Sequence, residues 1–185
     1  GLPNQLFLNK GDGTFEDVSE KWGIRAHIGK GMGVGVADYD LDGRPDLFVT
    51  NDTYYNFLFH NLGGKFEDAA FQTGTALVED GNFISGMGLD FRDFDNDGYP
   101  DLVFVALGKQ TFPLFKNRNG KDFREITGES GMRAASMSMA GFGAGLYDFD
   151  NDGWKDLFVT RGDVLSLPEP GIAVDQRNNV FRNPG

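Results

Sequence analysis

Three stretches of this chain carry the pattern Asp-x-Asp-x-Asp-Gly-x-x-Asp at a constant spacing of 55 residues. They read Asp38, Asp40, Asp42, Asp46; Asp93, Asp95, Asp97, Asp101; and Asp148, Asp150, Asp152, Asp156, with Gly43, Gly98 and Gly153 at the sixth position. Five fixed positions match by chance at roughly one start in a million, so three matches in register are a repeat. Carboxylates at positions 1, 3, 5 and 9, with a main-chain carbonyl near position 7, place hard oxygen donors around one point. That is the chemistry of Ca2+, which takes about 6 to 8 oxygens at roughly 2.3 to 2.6 Å. The expected ligands of three Ca2+ sites are therefore the twelve aspartates and the backbone carbonyls of Arg44, Tyr99 and Trp154. Without a cation, each close carboxylate pair repels by about 4 kcal/mol at an effective dielectric near 20, so an empty loop should splay.

The flanking residues decide what holds these loops. An EF-hand needs a bidentate Glu at position 12 and helices on both sides, but position 12 here is Val49, Phe104 or Val159. Each lies in an apolar, β-branched or aromatic run (Leu47-Phe48-Val49-Thr50, Leu102-Val103-Phe104-Val105, Leu157-Phe158-Val159-Thr160) that reads as a strand. Upstream, Gly-rich runs starting at Gly31, Gly86 and Gly141 keep the same period. The loop thus joins two strands of a hairpin. A second repeated element, Asn4-Gln-Leu-Phe-Leu-Asn9 and its counterparts ending at Asn61, Asn117 and Asn183, is followed in the first three copies by a Gly-rich turn and then Phe15, Phe66 or Phe123. That order adds two strands joined by a tight turn.

A four-stranded unit repeating near every 55 residues is the signature of propeller blades, with the small residues on the crowded innermost strand. The predicted fold is all-β: four-stranded antiparallel sheets stacked as β-propeller blades, about three of them forming part of a larger propeller. The whole of 1–185 is read as one partial propeller domain. Residues 1–20 are the last two strands of a preceding blade, 21–69 the first blade, 70–126 the second, and 127–185 a third with an insertion at 161–178 and no fourth strand. Three blades make an arc, and known rings close with about 4 to 8. The expected complement is the rest of a longer chain or copies of this one that complete the propeller.

The Asp-rich loop, the small-residue strand before it and the segment Asn4 to Val18 resemble FG-GAP/VCBS repeats, and most closely the ASPIC/UnbV-type repeats of the cartilage acidic protein-like group. The resemblance covers essentially the whole chain. It implies the calcium-binding β-propeller of integrin α-subunit heads and secreted bacterial proteins, an extracellular or cell-surface location, and a protein or glycan ligand on the face opposite the calcium loops. It also implies about seven blades, which favours a segment of a longer chain. Two other classes stand beside this binding or adhesion scaffold: a structural subunit of an extracellular assembly, and part of a polysaccharide-acting enzyme, since some polysaccharide lyases resemble calcium-dependent propellers.

Composition narrows the partners. The net charge of −11 arises from 17 basic and 28 acidic residues, and setting aside the twelve loop aspartates leaves 16 acids, close to neutrality. No basic stripe is present to grip nucleic acid. There is no cysteine, and no apolar run approaches the length of a membrane span, so membrane insertion is not expected. The first residues already belong to a repeat, with no charged-then-apolar leader.

No catalytic constellation is recognised. His27 and His60, the only histidines, belong to no nucleophile or zinc pattern and read as surface or packing residues. Gly31-x-Gly-x-Gly lacks dinucleotide spacing. Trp22, Tyr54 and Tyr55 fall near the expected ligand face, where inter-blade packing is the first reading and sugar stacking the second. The 161–178 insertion contains Arg161-Gly162-Asp163, read as a chance tripeptide at a strand exit, and Asn51-Asp52-Thr53 fits the N-glycosylation pattern directly after a strand.

Overall fold

A computed structural model describes residues 1–162 and 176–185. Strand β1 (Leu2–Pro3) precedes a hairpin of β2 (Phe7–Asn9) and β3 (Phe15–Asp17). After a 3₁₀ turn at Ile24–Ala26, β4 (Ile28–Gly29) returns to pair antiparallel with β1. The first full sheet follows in order: β5 (Gly31–Ala37), β6 (Asp46–Asn51), β7 (Phe57–Asn61) and β8 (Phe66–Asp68). A one-turn helix α1 (Ala70–Thr73) leads to the second sheet of β9 (Leu89–Arg92), β10 (Asp101–Phe104), β11 (Leu114–Asn117) and β12 (Phe123–Glu125). Helix α2 (Met132–Ser136) precedes a third sheet of β13 (Gly141–Tyr147), β14 (Asp156–Arg161) and β15 (Asn179–Phe181), three-stranded among the described residues. All pairings are antiparallel, and the sheets stack as an unclosed arc of propeller blades.

Burial explains why these runs become strands. A blade in an arc is covered on both faces, so its second strand is apolar beyond the bridging aspartate, and every residue of β10 is buried. Alternation along β6 sends Phe48 into the core between the first and second sheets, with Phe91, Phe104 and Phe115. Its neighbour Val49 goes to the other face, with Ile24, Phe57, Phe59 and Phe66. A third core, including Val103, Phe112, Leu146 and Leu157, joins the second and third sheets. Phe48 is fully buried with its ring 6.2 Å from that of Phe104. Burying such a side chain is worth about 1.5–3 kcal/mol.

The innermost strands touch each other, β5 against β9 and β9 against β13. Glycine permits the approach. A Cβ on Gly33 would stand 2.5 Å from the Met87 carbonyl oxygen, and one on Gly88 2.4 Å from that of Phe142. The Gly88 amide donates to that Phe142 carbonyl at 2.9 Å, tying the second sheet to the third.

Candidate metal centres

The Asp-rich segments form the hairpin loops between β5 and β6, β9 and β10, and β13 and β14, each closed by its last aspartate in register: Ala37 opposite Asp46, Arg92 opposite Asp101, Tyr147 opposite Asp156. Local geometry follows the motif. The sixth residue has φ of +89, +93 and +93° at Gly43, Gly98 and Gly153, a left-handed backbone that glycine adopts without steric cost. The fourth residue is also left-handed, at Asn96, Asn151 and Leu41. Asparagine tolerates this conformation and leucine does not, so the first loop carries local strain.

The first aspartate of each loop turns inward to receive loop amides. Asp38 accepts the amides of Asp42 and Gly43 at 3.0 and 2.8 Å, and Asp148 those of Asp152 and Gly153 at 3.1 and 2.9 Å. The fifth residue accepts the amide of the seventh, Arg44, Tyr99 or Trp154, at 2.9, 3.0 and 2.9 Å. The last aspartates are different. Asp46, Asp101 and Asp156 are buried, and each bridges two amides: Tyr39 and Asn61, Phe94 and Asn117, Phe149 and Asn183. Burial pushes the Asp46 carboxyl up to about 6 and the Asp101 carboxyl up to about 7, in spite of those hydrogen bonds.

These placements bring carboxylates together in all three loops. Donor atoms of Asp38, Asp40 and Asp46 lie within 4.8 Å of one another, as do those of Asp93, Asp95 and Asp101, and those of Asp148, Asp150 and Asp152. Asp42 joins Asp40 and His60 instead, and Asp97 and Asp156 fall outside these clusters. The donors fit a hard divalent cation. Asp93 Oδ1 has no accessible surface and no hydrogen-bond partner, and such a buried oxygen is one a cation would satisfy.

The strand before each asparagine adds residues that the motif does not show. His60 Nε2 lies 3.1 Å from Asp40 and 3.6 Å from Asp42. Lys116 pairs with Asp95 and lies 3.5 Å from Asp97. Arg182 reaches Asp150 and Asp152 at 2.7 and 2.8 Å. The third and fifth carboxylates of every loop thus meet a nitrogen from the residue before Asn61, Asn117 or Asn183. His60, read from sequence as surface or packing, belongs to the site, and the signal was three nitrogen-bearing residues in one repeat position. Arg44 also turns its guanidinium onto Asp42 and the Asn61 carbonyl.

The asparagines link successive loops. Asn117 Nδ2 donates to Tyr39 O of the first loop and to Pro100 O of its own, both at 2.9 Å. Asn183 Nδ2 donates to Phe94 O of the second loop at 2.9 Å. Through the bridging aspartates, hydrogen bonds run without a break from Asp46 by Tyr39, Asn117, Asp101, Phe94 and Asn183 to Asp156.

The other sequence candidates separate. Tyr54 and Tyr55 sit on the β6–β7 connection, with ring centroids 4.3 Å apart, beside the exposed Phe83 and Phe71. Trp22 does not join them; it packs on Phe66 at the start of β8. Asn51 is fully buried, with its amide nitrogen donated to Tyr55 O and its oxygen accepting the Lys30 amide, so it cannot carry a glycan. Arg161 is held by Gln176 and Asn179. Asp163 and the insertion through 175 lie outside the described residues.

Comparison with known proteins places these loops among relatives. The profile of the FG-GAP-like repeat matches residues 3–49, 38–104 and 93–159. Cartilage acidic protein 1 of Xenopus tropicalis is 30% identical over 176 residues, covering 90% of this chain and 26% of the relative. The Homo sapiens protein of the same name is 28% identical over 191 aligned residues, covering 98% of this chain and 27% of the relative. The chain therefore spans about a quarter of the length of these curated relatives. No helix among the described residues is long and apolar enough to cross a membrane.

Proposed function

The chain belongs to the FG-GAP-like repeat family, and from that premise we propose that it is a calcium-stabilised propeller segment of an extracellular protein, serving as a binding scaffold. The observation that carries the calcium assignment is the convergence of carboxylates in all three loops, together with the buried Asp93 oxygen that has no donor. Calcium would be held by Asp38, Asp40, Asp42, Asp46 and their counterparts with the carbonyls of Arg44, Tyr99 and Trp154. It would supply charge neutralisation at the hairpin tips. The residues themselves do the rest: the bridging aspartates fix each loop to the third strand of its blade, and the asparagines fix it to the next blade.

Loops of this exposure match the affinities of extracellular modules, about 0.1 to 1 mM, which favours a calcium-rich compartment. Recognition is assigned to the face formed by the β6–β7 and β10–β11 connections, away from the loops, for a protein or glycan ligand. The exposed Phe71 and Phe83 around the Tyr54–Tyr55 pair support that choice.

Thermal unfolding with and without chelator tests the calcium reading. At about 10 mM Ca2+, each site of that affinity adds about 1.4–2.7 kcal/mol. Three sites then raise the melting temperature by roughly 10–30 °C. A melting curve unmoved by chelator and by calcium refutes the assignment.

A further inference from the structure

Among the positions at which the three loops differ, one faces the carboxylates directly: the residue that precedes the asparagine of the third strand. Lys116 and Arg182 bring permanent positive charge to the third and fifth aspartates of the second and third loops, where it competes with any bound cation. His60 brings an imidazole to the same two carboxylates of the first loop. Its Nε2 has no accessible surface and, although close to Asp40, is not aligned for a hydrogen bond. A ring nitrogen so placed offers a lone pair that borderline metal ions favour over Ca2+.

We infer that this position sets the cation preference of each loop, and that Asp40, Asp42 and His60 give the first loop a site for a borderline divalent cation such as Zn2+, while the second and third accept only hard cations. The inference rests on the reading of the loops as cation sites. Its geometry is favourable. Four-coordinate zinc with bonds near 2.0–2.2 Å sets its donors about 3.3–3.6 Å apart. The separations from His60 Nε2 are 3.1 Å to Asp40 Oδ2 and 3.6 Å to Asp42 Oδ2. The Arg44 guanidinium that pairs with Asp42 is partly exposed and can swing into solvent as the ion enters, because surface pairs of this kind hold weakly. Having no cysteine, the chain offers no thiolate to confuse a zinc titration.

Calorimetric titration of the chelator-stripped chain with ZnCl2 in excess CaCl2 is the test, with parallel CaCl2 titrations. The wild type takes up roughly one zinc equivalent, H60K takes up none, and K116H, which moves the imidazole to the second loop, takes up roughly two. H27Q, altering the histidine outside the loops, matches the wild type. Zinc uptake that is absent from the wild type, retained in H60K, lost in H27Q or not increased in K116H overturns the inference. If calcium heat persists while any of these occurs, the calcium reading stands and only the selectivity fails. If no calcium heat appears in the wild type, that reading fails first.

Discussion

Replacing Gly88 with alanine places one methyl group into the seam between the second and third sheets. Its Cβ would stand 2.4 Å from Phe142 O and 2.8 Å from Gly143 Cα, both main-chain atoms that cannot rotate away. Relief requires β9 and β13 to part, which weakens the 2.9 Å bond from the Gly88 amide to Phe142 O. Overpacking costs about 1–3 kcal/mol, and the bond a further 0.5–1.5 kcal/mol. Loss of backbone freedom in the unfolded chain returns about 0.4–1 kcal/mol. The net destabilisation is centred on about 2 kcal/mol, a fall in melting temperature of roughly 4–8 °C for a chain of this size. Gly143, one repeat later, is the internal control: the nearest atoms to its Cβ would all belong to the Thr160 side chain, with Oγ1 at 2.9 Å and the next at 3.9 Å. G143A should therefore melt within a few degrees of the wild type. Scanning calorimetry of G88A and G143A in the same calcium buffer decides the matter. Equal melting temperatures for the two variants would refute the close stacking of inner strands.

Three further outcomes are expected. L41N places asparagine where the other two loops already have it, and should stabilise the chain by about 0.5–1 kcal/mol, read as a melting temperature raised by roughly 1–4 °C. N117A removes three side-chain hydrogen bonds, to Tyr39 O, Pro100 O and from the Gly120 amide; it should cost about 2–4 kcal/mol in denaturant unfolding, and roughly two thirds of that in N61A would fit the two bonds made there. The Asp46 and Asp101 carboxyls titrate near 6 and near 7 in the folded chain, above the usual 3.8. The folded state thus holds their protons more tightly, so their contribution is full below about pH 4 and lost as pH rises through 6 and 7. In chelator, the melting temperature of the wild type should fall more steeply across that range than that of D101N, and equal slopes would contradict the shift.

The metal loops and their strands were legible because both are periodic. A 55-residue spacing survives inspection, and the apolar runs of β6 and β10 alternate between two cores. The helices α1 and α2, at four and five residues, are too short to show a helical period. The two-residue pairing of β1 with β4 gives no pattern at all. Asn51 matched a modification motif in sequence, yet its side chain is the cap that the β6–β7 connection folds around, a fact that depends on Tyr55 and Lys30 arriving from elsewhere. His60 was misread for a related reason: its partners are 18 and 20 positions away, across a turn of strand order.

The asparagine bridges carry a consequence for shape. Apolar faces tolerate sliding and tilting, whereas a hydrogen bond accepts only a narrow range of lengths and directions. Because Asn117 and Asn183 make the same bond to the loop one blade back, each junction turns the chain by a similar angle. The curvature of the arc is therefore a local property, written at every seam. The number of blades that closes a circle follows from it, as the pitch of a staircase follows from one step.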